Sequence, residues 1–495
     1  MTYNIIIKKI HLINLIYYIL SIVFIIPLFL GNYLCDDCYI YARIIDNYHI
    51  SGFPFYQLDL PLKAASSTGY LLICSFLRYF FQSIKAIIFF QVLTYILYLL
   101  VSNYVIKSKY KFYNLIAFLS ATSGFLMTNW SGMDTSIVCV LFLVICYHLV
   151  QNNLLEAILF ASISACFRLE CLALYILIII YSYFRKKYAL KQFILYSLPL
   201  ICLWLFDFYN YNTIIPFAAH AKTLVYGYPF MQSLHNMITM GHGYLGIFFV
   251  SAYLCLFLVE LYYLMTSRFS IADKHIFLVF TFILFLAWSV SRSVFFPWYF
   301  CLFSTPFAIY FYLDFRLKKT IVYDFIFYMQ LIVLVGCFIL PMEYIFNDAS
   351  RLRVSTYLKI GSALNYSDIK GSLVTSEIGA IGFGFRGNVY DALGLTDQNA
   401  LKYHPMTVPY DRPDYGVGAI PIQYVKYRDP QFIVTMPVFS DALRRSNILK
   451  NYYGYYCKLI KPVYGDSVVL VYSKTPISTK SISIMSAVLF QNRSN

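Results

Sequence analysis

Apolar runs, most of about 18 residues or more, follow one another along the first two-thirds of the chain. They fall at about 10–30, 84–106, 112–130, 133–150, 154–168, 169–184, 190–209, 244–266, 275–291, 297–314 and 320–343. Runs of this length and poverty in charge predict transmembrane helices, about eleven in all, with the third to sixth short or closely joined. From residue 346 the pattern changes. Short β-rich runs at Leu373–Ser376, Asn388–Leu393, Gln431–Met436 and Ser467–Ser473 alternate with polar and helical stretches. That alternation predicts a small α/β domain over 346–475. Pro405, Pro409, Pro413 and Pro421 punctuate a long loop within it, and 476–495 reads as a loose tail. The expected architecture is a polytopic α-helical membrane protein, 1–345, followed by a C-terminal α/β domain.

Composition removes the soluble alternatives. The chain of 495 residues is 60% hydrophobic and 12% charged, against roughly 25% charged in ordinary soluble domains. Its 38 Lys and Arg against 23 Asp and Glu give a net charge of +15. On a soluble protein that excess would point to nucleic acid; here it reads out topology, and no nucleic-acid partner is expected. Lys8 and Lys9 precede the first run and no small-residue cleavage site follows it, so it reads as a retained anchor with a cytoplasmic N-terminus. Lys107, Lys109 and Lys111, then Arg185, Lys186, Lys187 and Lys191, then Arg268 and Lys274, then Arg316, Lys318 and Lys319 all fall on the side of Lys8. An odd number of spans puts residues 346 onward on the opposite, extracytoplasmic face, in the periplasm or its topological equivalent. Nine of the twelve Cys lie in or beside apolar stretches, where Cys acts as a small hydrophobe, and no disulfide framework or zinc cluster can be read from them.

Candidate chemistry gathers on the outer face. Asp36 and Asp37 stand where the chain leaves the first run, ahead of Arg43 and the Ser66-Ser67-Thr68-Gly69 stretch. Mutual repulsion in a low-dielectric setting would raise one of the two and suit it to general-base work; an ordinary helix start uses Asp as well. The same pair could supply oxygen ligands to Mg²⁺ or Mn²⁺, although one acidic pair does not complete a site. A second cluster runs from Asp207 to His220 and Lys222, with His235 and His242 beyond. A lone cation there either snorkels to lipid phosphate or binds a substrate phosphate, and scattered His are weak evidence for metal. The third cluster is Trp288, Arg292, Pro297, Trp298 and Tyr299; its aromatics suit a membrane belt, and Arg292 at that depth calls for a partner such as a lipid-linked phosphate. Arg168 and Glu170 are spaced to pair with each other.

The order of these features resembles the GT-C superfamily of membrane glycosyltransferases. The resemblance rests on Asp36-Asp37 and Arg43 after the first span, Gly132-Met133-Asp134, Arg168-Leu169-Glu170, the 212–222 loop and Pro297-Trp298-Tyr299. Within that superfamily the chain is most similar to bacterial relatives of the terminal arabinofuranosyltransferases, because Gly379-Ala380-Ile381-Gly382, Asp391-Ala-Leu-Gly394-Leu-Thr-Asp397 and Arg412-Pro-Asp414 resemble motifs of their C-terminal domain. The resemblance implies an inverting transfer of a sugar from a polyprenyl-phosphate donor to a glycan, lipid or protein acceptor of the cell envelope. It implies Asp36 as base, with Asp37 orienting acceptor or metal. Arg43, Lys222 and Arg292 would hold the donor phosphate, and Asp134, Arg168, Glu170, His220, Trp298 and Tyr299 would line the substrate site. A flippase for lipid-linked sugars, which predicts repeats and mid-membrane charges, and an oligosaccharide ligase are the other classes the charge pattern admits.

Overall fold

The protein's structure, a computed structural model, describes residues 34–105, 125–126, 128–186, 188–226, 231, 234–235, 273–291, 299, 301–314, 349–366, 371–406, 419–463 and 466–491. The runs expected at 10–30, 244–266 and 320–343 and most of 112–130 lie outside the described residues, as do Arg292 and Trp298.

Helix α1, Asp36–Ser51, carries Cys38, Tyr41, Ala42 and Ile45 on its buried side, the i, i+3, i+4, i+7 spacing that makes one face apolar. Two acids in its first turn complement the helix dipole, and Gly52 ends it with φ +76° in the left-handed region. The following helices are α2 Thr68–Leu77, α3 Ser83–Val105, α4 Thr135–Val150, α5 Leu154–Phe167, α6 Leu172–Lys186, α7 Leu190–Tyr196, α8 Leu198–Tyr211, α9 Phe217–Tyr226, α10 Asp273–Ser291 and α11 Cys301–Asp314. Among the described residues, Ser83–Ser102 is long and apolar enough to cross a membrane, and α7 with α8 qualifies as a pair bent by 61°. The bend lies at Ser197, one residue before Leu198-Pro199; a proline removes a backbone donor and cannot continue a straight ladder. The run at 190–209 is therefore two helices and not one straight span. Phe76, Phe80, Leu100, Phe184, Leu205 and Phe208 point outward exposed, an apolar exterior that suits lipid and not water.

The C-terminal part is a six-stranded mixed sheet in the order β2-β1-β3-β5-β4-β6, made of β1 Ser372–Thr375, β2 Asn388–Asp391, β3 Phe432–Thr435, β4 Tyr453–Val463, β5 Asp466–Ser473 and β6 Ala487–Gln491. β1 runs parallel to β2 and β3, and the remaining pairs are antiparallel. Because side chains alternate along a strand, Leu373, Phe432 and Val434 face one core and Val374 and Ile433 the other. Helix α12, Ala349–Leu364, and the short α13, Ala380–Gly384, cover the first face; α14, Ile422–Arg428, covers the second. The first core is continuous with that of the membrane helices, from Leu34 to Ala487. Residues 476–495, expected as a loose tail, instead supply α-helix Thr479–Met485 and β6, which pairs with β4.

Candidate functional site

The start of α1 is fixed from two sides. Towards the membrane helices, the Cys35 amide donates to Ser131 O at 3.0 Å, and Tyr70 Oη donates to Gly132 O at 2.7 Å. Gly132 has φ +77°, and a Cβ there would stand 2.7 Å from Leu34 and 2.9 Å from Cys38, so the turn before Asp134 admits only glycine. Towards the C-terminal domain, the Gly379 amide donates to Asp36 Oδ2 at 3.0 Å and the Ala380 amide to Asp36 Oδ1 at 2.8 Å. A Cβ on Gly379 would collide with Asp36, and one on Gly382 with the Tyr56 hydroxyl. Those two glycines let α13 lie directly on α1.

Arg43 completes this contact. Its guanidinium donates to Gly382 O, to Phe385 O at 2.8 Å, to Gly387 O at 2.9 Å and, through Nε, to Tyr56 O at 3.1 Å. Tyr56 Oη in turn donates to Ile378 O at 2.7 Å. A guanidinium so occupied by carbonyls differs from the phosphate ligand expected of Arg43. It docks the C-terminal domain onto α1.

A cavity of about 440 Å³ opens between α6, α9 and α10. Its polar wall carries Ser66, Arg168, Glu170, Lys222 and Tyr299; Leu169, Ala173, Ile283, Leu284 and Ala287 make the apolar one, with Trp288 beside Tyr299 at 5.0 Å between ring centroids. Arg168 is nearly fully buried at the break between α5 and α6. It donates to Glu170 twice, at 3.1 and 2.5 Å, and to Asp134 Oδ2 and Ser66 Oγ at 3.3 Å each. Its guanidinium also lies 5.0 Å from the Tyr299 ring centre. The pairing of Arg168 with Glu170 expected from their spacing is present, and the pair forms cavity wall.

Lys222, on α9, is the second cation of the wall. The protein around it opposes its charge, but Tyr299, Asp37 and Glu170 outweigh that opposition and hold its ammonium above the ordinary lysine value. Asp37 is half-buried, and among the described residues it has no hydrogen-bond or ion-pair partner. Burial pushes Asp36 above the ordinary carboxylate range, with Asp37 adding to the rise and the two amides and Arg353 opposing it. His220 is exposed and does not line the cavity. Among the described residues no group of three or more His, Cys, Asp and Glu side chains is placed to hold a metal ion.

Two features had no reading from sequence. Lys63 is buried and pairs with Asp207, and its ammonium also donates to Ile214 O at 2.7 Å while Thr68 Oγ1 donates to Asp207 Oδ1 at 2.7 Å. This knot ties the 52–67 loop to the start of α9 and so sets the height of Lys222. Glu377, two residues before Gly379, pairs with Arg353 at 3.2 Å. Burial, against Arg353 and helped by Asp36, Asp37 and Asp391, pushes Glu377 up to about 7. Its nearness to the Gly379-Ala380 motif is the only sequence signal that could have flagged it. The Asp391–Asp397 motif, by contrast, builds a turn: Asp391 accepts the amides of Leu393 at 2.8 Å and Thr396 at 3.0 Å, and Gly394 holds φ +80°.

The arrangement of bundle, outer helix and docked sheet has solved counterparts. No family model and no curated protein matches the chain. The fold is similar to that of ArnT. Two crystal structures of ArnT from Cupriavidus metallidurans, one bound to undecaprenyl phosphate and one in the apo state, superpose with a TM-score of 0.52 and 10% sequence identity. The likeness covers 93% of this chain and 98% of ArnT. At that identity it is a likeness of fold. It agrees with the expected layout of a helical part followed by a C-terminal domain, and kinship with the arabinofuranosyltransferases is not part of it.

Proposed function

We propose that the chain is an inverting glycosyltransferase of the bacterial inner membrane, moving a sugar from a polyprenyl-phosphate donor to an acceptor hydroxyl on the outer face. The observation that carries this reading is the cavity: Lys222 and Arg168 stand in its lining together with an apolar part, and Asp37 of α1 lies within electrostatic reach of Lys222. A prenyl phosphate has that same division into a charged head and an apolar chain. ArnT, which shares the fold, binds undecaprenyl phosphate in its crystal structure.

The chemistry divides accordingly. An acceptor hydroxyl is a weak nucleophile until a base takes its proton, and Asp36 is the carboxylate that burial makes more basic and two amides hold in one direction. As the acceptor oxygen bonds to the sugar's anomeric carbon, the bond from that carbon to the donor phosphate breaks and the configuration inverts. The proton stays on Asp36, and the polyprenyl phosphate leaves as an anion that needs no protonation. Lys222 stabilises the charge gathering on it, with Arg168 behind. Asp37 faces Lys222 and orients acceptor and cation together. Within this reading the finer kinship is with bacterial relatives of the terminal arabinofuranosyltransferases, on the motifs of the outer loop and of the C-terminal domain. Binding of undecaprenyl phosphate to the purified protein, followed by native mass spectrometry, tests the donor assignment. Wild type is expected to bind and Lys222→Ala to bind at least ten-fold more weakly; equal binding by both removes Lys222 from the donor site.

A further inference from the structure

The carboxyl end of β1 is the part of the C-terminal domain that meets α1. In parallel α/β sheets, the crevice outside the carboxyl ends of the strands is the usual place of ligands. Here β1 lies between the parallel β2 and β3, and what stands outside its carboxyl end is Asp36. The Gly379 and Ala380 amides reach the two oxygens of that carboxylate one each, at 3.0 and 2.8 Å. Glu377 begins the same turn; its amide donates to Thr375 Oγ1 at 3.1 Å, and its carboxylate accepts from Arg353 at 3.2 Å. Arg353 acts on Asp36 as well as on Glu377. The charged groups that face Glu377 are therefore Arg353 from α12, Asp36 and Asp37 from α1, and Asp391 from β2.

We propose that the turn Glu377–Ala380 is a positioning element of the transfer site, by which the C-terminal domain sets the direction and the protonation of Asp36. The two amides favour the ionised carboxylate and aim it, while Glu377 holds Arg353 at the start of the turn. This rests on Asp36 being the base, and it makes the water-facing domain a working part of the site. A Cβ on Gly379 would overlap the Asp36 carboxylate, so Gly379→Ala withdraws the amides from it.

Withdrawing the amides gives the test. Carbodiimide labelling of Asp36, read by mass spectrometry across pH on the purified full-length chain, reports the protonated fraction without a sugar substrate. Gly379→Ala is expected to move the labelling midpoint of Asp36 to higher pH, by about one pH unit, and Ala380→Pro, which deletes one of the two donors, to move it the same way by less. Asp391, held by the amides of its own turn, is the reference in the same spectra: general loosening of the fold would move it too. An unmoved Asp36 midpoint, or one that moves only together with Asp391, overturns the proposal. Should Gly379→Ala not fold, Ala380→Pro decides alone. A shift confined to Asp36 in a protein that transfers no sugar would uphold the positioning role and sink the transferase reading instead.

Discussion

Replacing Asp36 by Asn separates chemistry from structure more sharply than any other single change in this site. The side chain keeps its shape and one acceptor oxygen, so one of the two amides, Gly379 or Ala380, keeps its partner. The other amide meets an NH₂ group, and losing a hydrogen bond to a charged acceptor costs about 1.5–3 kcal/mol. Part of that is offset because a buried charge, disfavoured by its surroundings, has been removed; the net loss of stability should stay below about 2 kcal/mol. Catalysis has no such offset. A positioned base contributes roughly 10²–10⁴ in rate, or about 2.7–5.4 kcal/mol of barrier at 1.36 kcal/mol per decade. Transfer in membrane vesicles should therefore fall by that factor while the unfolding midpoint of the purified variant moves by a few degrees, and undecaprenyl phosphate binding stays as in wild type. Near-normal transfer by Asp36→Asn, with loss confined to Asp37→Asn, would assign the base to Asp37. Normal transfer by both would refute the mechanism.

Lys222→Ala should raise the donor KM by about 10- to 150-fold, the worth of one hydrogen bond to a charged group, with folding unaffected; a change confined to kcat would contradict a donor-binding role. Gly382→Ala drives a methyl into the Tyr56 hydroxyl and should cost about 1–3 kcal/mol, seen as faster hydrogen exchange in α13 than in α4; equal exchange in variant and wild type would mean the α1–α13 contact is looser than described. Glu377 and Asp391 are both pushed up to about 7, from ordinary values of 4.5 and 3.8. The native state then binds more protons than the unfolded chain between those values, so stability should fall as pH rises through this window and level off above about 7. Thermal unfolding measured from pH 4 to 8 should show that slope, shallower in Glu377→Gln, and a stability that rises with pH instead would reverse the assignment.

Much of the helical layout could be read from the run of apolar residues, because a span of low charge has few alternatives to a helix in lipid. The run at 190–209 was the exception, since Pro199 breaks it after Ser197 without lowering its hydropathy. Strands β1, β2, β3 and β5 stood out as β-rich runs between turn residues. β4 did not, because Gly454, Lys458, Lys461 and Pro462 interrupt its pattern, and β6 sits in a Ser-rich stretch and owes its place to pairing with β4. The acids and Lys222 could be named from their position at the outer face. Their surroundings could not: the amides that hold Asp36 lie more than 340 residues away along the chain, and the occupation of Arg43 by carbonyls depends on the same docking. The Lys63–Asp207 pair was invisible for a similar reason, since nothing in either local sequence marks the other as its partner.

The central claim is sugar transfer from a lipid-linked donor, and the envelope itself reports it. Mass spectra of cell-envelope glycans, glycolipids and polyprenyl phosphates should be compared between cells that carry the wild-type chain, lack it, or carry Asp36→Asn. The account predicts one glycosylated species lacking a single sugar in both mutant strains, together with accumulation of the polyprenyl-phosphate sugar that would have supplied it. Identical glycan profiles in all three strains, or a loss of the species in the deletion that Asp36→Asn fully restores, would contradict it.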